Sequence, residues 1–103
     1  MKAINNAVFN KIIQEDRPVL VDYWAPWCVY CRRLAPALSS FAEQNPQIAV
    51  VQINIDEEQE LARREQIEVI PTLVLYQNGQ AIGSIVAPES KARIEEFVQE
   101  VLG

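Results

Sequence analysis

Val19-Leu20-Val21-Asp22-Tyr23-Trp24-Ala25-Pro26-Trp27-Cys28-Val29-Tyr30-Cys31 is the stretch on which the reading of this chain turns. Its first six residues are apolar and β-prone and predict a buried strand. From Cys31 through Phe41 the apolar residues recur at helical spacing, so Cys28 falls where a strand gives way to the first turn of a helix. Residues three apart on a helix have Cβ atoms about 5–6 Å apart. A disulfide needs Cα atoms about 4.4–6.8 Å apart, so Cys28 and Cys31 can bond with little backbone movement. First-turn N–H groups have no intrahelical acceptor, and the helix dipole puts partial positive charge there. Both favour a thiolate at Cys28, and only the thiolate attacks a disulfide. Cys31, one turn deeper, is then the resolving thiol. The Tyr30 N–H, two residues after Cys28, is expected to point at the Cys28 sulfur.

Other readings of the two cysteines carry less weight. They can act as small buried hydrophobes. A structural bridge closing so short a loop restricts the unfolded chain little. A closed zinc site wants four nitrogen or sulfur ligands, and this chain has two cysteines and no histidine. A C-x-x-C beside a βαβ pattern points to redox chemistry.

At 103 residues the chain is read as a single domain, 1–103, with one core and no need of staples. Its net charge is −5, and no basic cluster exceeds the pairs Arg32-Arg33 and Arg63-Arg64, so nucleic acid and anionic membranes are not expected partners. No run approaches the ~18 apolar residues of a membrane-crossing helix. Met1 to Asn6 lacks the apolar run of an export signal, which points to a reducing cytoplasm, where a dithiol is more often catalytic than structural.

Taken in order, Lys2 to Ile4 reads as a short edge strand. Asn6 reads as the N-cap of a helix carrying Val8, Phe9, Ile12 and Ile13, which Asp16-Arg17-Pro18 ends. The helix from about Cys28 to Gln44 contains Pro36, so a kink is expected. Ile48 to Ile55 reads as a second central strand. Asp56-Glu57-Glu58 reads as the start of a short helix ending near Gln66. Thr72 to Gln77 and Gln80 to Val86 form a hairpin across Asn78-Gly79. A last helix shows Ile94, Phe97, Val98 and Val101 on one face. Strands separated by helices are expected to pair in parallel, with only the final hairpin antiparallel. Asp22 has two readings: a buried carboxyl with a raised pKa, or an exposed side chain between inward-facing Val21 and Tyr23.

With these motifs placed, the chain resembles the thioredoxins nearly end to end. The resemblance is carried by Val21 to Cys28, by Leu34-Ala35-Pro36, by Asn54-Ile55-Asp56, by Ile70-Pro71-Thr72-Leu73 and by Asn78-Gly79. It implies an α/β thioredoxin fold, a mixed five-stranded sheet flanked by four helices. It implies reduction of protein disulfides through the Cys28/Cys31 dithiol, without metal or organic cofactor, in a monomer recharged by a flavin-containing thioredoxin reductase. It gives Asp22 the role of proton acceptor or relay for Cys31, with Gln52 where thioredoxins often have lysine. It places Trp27 at the surface beside the dithiol and holds Pro71 cis, leaving the Ile70 backbone free to pair with an extended substrate. Two departures affect chemistry. Val29 and Tyr30 stand where thioredoxins usually have Gly-Pro, and Ala87 stands in the substrate-facing loop where they usually have Gly. Tyr30 and Ala87 join Trp27, Ile70 and Pro71 as expected substrate contacts. The alternatives are a more oxidising disulfide oxidant or isomerase, and a partner-binding module without turnover.

Overall fold

The computed structural model describes residues 1–103. In chain order the elements are β1 (Lys2–Ala3), α1 (Asn6–Ile12), β2 (Val19–Trp24), α2 (Val29–Gln44), β3 (Ala49–Asn54), α3 (Gln59–Arg64), β4 (Thr72–Gln77), β5 (Gln80–Val86) and α4 (Lys91–Leu102). They build one five-stranded sheet in the order β1-β3-β2-β4-β5. The mixed sheet and four helices are those the sequence implies.

Successive strand residues face opposite sides of a sheet, and the core follows that alternation. Val19, Val21 and Tyr23 of β2 pack with Val74 and Tyr76 of β4, Phe9 of α1 and Leu61 of α3. Leu20 packs with Leu73 and Leu75, Leu34, Leu38 and Phe41 of α2, and Ile94, Phe97 and Val98 of α4. β2 is therefore covered on both sides, which is why its sequence is continuously apolar. Asp22 shares the face of Leu20 and is 2% exposed. Inward-facing Val21 and Tyr23 do not make it a surface residue, because the opposite face is also covered.

One pairing differs from expectation. β2 and β3 are parallel, as are β1 and β3, but β4 runs antiparallel to β2 as well as to β5. The connection through residues 55–71, which holds the six-residue α3, returns the chain to the end of the sheet where β3 stops, so β4 starts at the end where β2 and β3 finish. This puts Thr72 opposite Tyr23 and brings Pro71 to the end of β2 from which the cysteines depart.

Helix starts differ in detail. α1 is capped by Asn5, whose side chain accepts the Val8 N–H at 3.0 Å. α3 begins at Gln59 instead of Asp56, because Asp56 is held in a turn by Asn54 Oδ1, which accepts its N–H at 2.9 Å. α2 continues through Pro36. Asn78 and Gly79 both have positive φ, 53° and 82°, as a tight two-residue hairpin turn requires.

Candidate active site

β2 ends at Trp24, and the chain turns into α2 with Cys28 as the N-cap in extended conformation. An N-cap side chain accepts from the second or third helical N–H. Here Cys28 Sγ accepts the Cys31 N–H at 3.1 Å. The donor aimed at the sulfur is thus that of the third helical residue and not Tyr30, which corrects the expectation for the Tyr30 N–H. Cys28 and Cys31 form a disulfide with their Cα atoms 5.3 Å apart. Both are nearly covered, at 7% and 4% exposure, so depth hardly separates them; the Sγ-directed donor does. Around them pack Ala25, Trp24, Ile55 and Ile70.

Three segments converge on the dithiol. The first is the turn before it, where Trp27 is 65% exposed and its Nε1–H donates to Asp56 Oδ2 at 2.9 Å. The second is the start of β4, where the Ile70–Pro71 peptide bond is cis. The third follows β5, where Ala87 adopts a φ of +46° and donates its N–H to the Pro71 carbonyl at 2.9 Å. Tyr30, in the first turn of α2 between the two cysteines, reaches across to the third. Its hydroxyl donates to the Ala87 and Pro88 carbonyls, each at 3.3 Å. Cys28, Cys31, Trp27, Tyr30, Ile70, Pro71 and Ala87 are therefore brought to one end of the sheet.

Asp22 sits within the sheet, six residues before Cys28. Parallel register sets it beside Gln52 of β3, whose side-chain amide donates to Asp22 Oδ2 at 3.1 Å. Its other oxygen, Oδ1, is buried without a partner. Removal from water lifts its pKa to about 6, and the Gln52 hydrogen bond holds it from rising further. A neutral amide cannot stabilise the carboxylate as an ammonium would, so burial wins.

Some of this lay outside the sequence reading. The Asp56 partner of Trp27 and the Tyr30 hydroxyl contacts join positions 29 and 57–58 residues apart. The Gln52 contact follows from the β2–β3 register once the strands are aligned. Arg32 and Arg33, which follow Cys31, make no ion pair.

Known proteins place this arrangement. The thioredoxin family profile matches residues 1–100. A thioredoxin of Alicyclobacillus acidocaldarius is 38% identical over 100 residues, covering 96% of this chain and 95% of that one. A bifunctional thioredoxin reductase/thioredoxin of Mycobacterium leprae is 38% identical over 95 residues, which are 91% of this chain and 21% of that protein. The solved structure of Plasmodium falciparum thioredoxin superposes with a TM-score of 0.90 at 25% identity, covering 97% of this chain and 98% of that one. The two cysteines at the head of α2 are thus the redox pair of a protein that belongs to the thioredoxin family and is a thiol–disulfide oxidoreductase.

Proposed function

We propose that this protein reduces protein disulfides with Cys28 as attacking thiol and Cys31 as resolving thiol. The Cys28 thiolate attacks one sulfur of the substrate bridge. That bridge breaks, its second sulfur leaves as a thiolate and takes a proton, and a Cys28–substrate mixed disulfide forms. The Cys31 thiol loses its proton and attacks Cys28 Sγ. The mixed disulfide breaks, the first substrate sulfur leaves and is protonated, and Cys28–Cys31 closes. The substrate gains two electrons and two protons, and the dithiol loses them, so no metal or organic cofactor is required. The observation that carries the assignment is the Cys31 N–H at Cys28 Sγ, a donor that stabilises a charged sulfur more than a neutral one.

Asp22 accepts the Cys31 proton. Support comes from its burial, its place on the sheet face that α2 covers, and a pKa of about 6, near enough to neutrality for either protonation state to be reached. Trp27, Tyr30, Ile70, Pro71 and Ala87 line the substrate surface, and the Ile70 backbone pairs with an extended substrate segment. The electron donor is a flavin-containing thioredoxin reductase, a partnership supported by the fusion that the Mycobacterium leprae relative's name describes. The protein works as a monomeric single domain, 1–103, in the cytoplasm. The charge of −5 argues against nucleic acid or anionic membrane partners, and no helix is long and apolar enough to cross a membrane.

The test is reduction of insulin with thioredoxin reductase and NADPH, beside a dithiothreitol-driven control. Turnover in both supports the full reading. Turnover in the control alone removes the donor assignment, and turnover in neither removes the reductase reading. The reduction potential separates this reading from a disulfide oxidant of the same fold.

A further inference from the structure

Ala87 holds a backbone conformation that residues with a Cβ seldom adopt, φ +46°, so local preference does not keep the loop after β5 where it is. Two hydrogen bonds reach it, one from each side. The Ala87 N–H donates to the Pro71 carbonyl at 2.9 Å. On the other side the Tyr30 hydroxyl shares its proton between the Ala87 and Pro88 carbonyls, each at 3.3 Å. A continuous path therefore runs from Tyr30, between the two cysteines, through Ala87 to Pro71. Tyr30, Arg33, Leu34 and Ala37 of α2 and Pro88 and Glu89 of the loop line an open hollow of about 160 Å³, and the Tyr30 hydroxyl is the tether across it. Tyr30 itself is 39% exposed.

We propose that Tyr30 is a positioning residue that straps the Ala87–Pro88 loop to the head of α2 and thereby selects disulfides carried on extended polypeptide over small ones. The inference rests on the reductase reading above. An extended substrate segment that pairs with Ile70 must pass the loop anchored to Pro71, so its docking depends on where that loop stands. A small disulfide reaches Cys28 without touching it. With the strap in place the wall is fixed before the substrate arrives, and less ordering is left to the binding step.

The test compares wild type with Tyr30→Phe, which keeps the ring and removes the tether. Insulin and hydroxyethyl disulfide are the two substrates, with dithiothreitol as reductant. Loss of one partly exposed hydrogen bond corresponds to a fall of about two- to tenfold in the ratio of kcat/KM for insulin over hydroxyethyl disulfide, carried mainly by KM for insulin. Amide exchange at Ala87 in the oxidised protein rises by a similar factor of about two to ten. An unchanged or increased ratio, an equal loss with both substrates, or unchanged Ala87 exchange overturns the strap. A wild-type protein inactive on insulin instead overturns the reductase reading itself, so the two failures are told apart.

Discussion

Asp22→Asn should make the protein more stable at neutral pH, and the gain should disappear in acid. Asp22 is 2% exposed, and burial raises its pKa from 3.8 to about 6. A carboxyl whose pKa is higher folded than unfolded favours the fold when protonated. Its contribution is fully present below the unfolded pKa and is lost as pH rises through the folded one. Asn stands in for the protonated acid, since its oxygen can still accept the Gln52 amide and its NH2 takes the place of an oxygen that has no partner. One pKa unit is 1.36 kcal/mol, so the gain over wild type is about 3 kcal/mol at pH 7, roughly half that at pH 5 and a small fraction of it at pH 4. Urea denaturation of the oxidised proteins at those three pH values measures it. A gain that is the same at all three, or no gain at pH 7, would refute the buried-carboxylate argument. The same variant should slow resolution of the mixed disulfide more than its formation.

Limited alkylation of the reduced protein near neutral pH, read by mass spectrometry, should label Cys28 several-fold before Cys31. The two are almost equally covered, so the difference must come from the Cys31 N–H at Cys28 Sγ, and equal labelling would remove that assignment. Gln66→Gly should stabilise the fold by about 0.5–1 kcal/mol. Gln66 sits at φ 60° just past α3, where the Gln66 N–H reaches the Arg63 carbonyl at 3.1 Å and the Ile67 N–H reaches Ala62 at 2.9 Å, the paired bonds of a Schellman cap that favours glycine. A loss of stability in denaturant would show that the Gln66 side chain matters more than its backbone.

What could be read in the sequence was what is local. The apolar run of β2, the helical spacing after Cys31 and the Asn78-Gly79 turn each express short-range geometry, and each forms where it was expected. The direction of β4 is not legible, because it depends on where the whole connection through residues 55–71 delivers the chain and not on any residue within β4. Alternation alone left Asp22 unresolved; only the covering of both sheet faces decides it. The sequence points to Tyr30 as the donor at Cys28 Sγ, one residue before the Cys31 N–H that reaches it. First-turn N–H groups are all free in sequence terms, and the N-cap conformation of Cys28 chooses Cys31 among them. The Tyr30 hydroxyl contacts join residues far apart in the chain, and no periodicity announces such a pair.

The account rests on Cys28 attacking and Cys31 resolving, and replacing the resolving thiol tests it most directly. Reduced Cys31→Ser protein is mixed with a disulfide-bonded protein such as insulin, quenched with acid, and its mixed disulfides are mapped by mass spectrometry. The account predicts a stable adduct through Cys28, with no such adduct accumulating for wild type, where Cys31 clears it. Failure of Cys31→Ser to trap substrate, together with trapping through Cys31 in a Cys28→Ser protein, would contradict it.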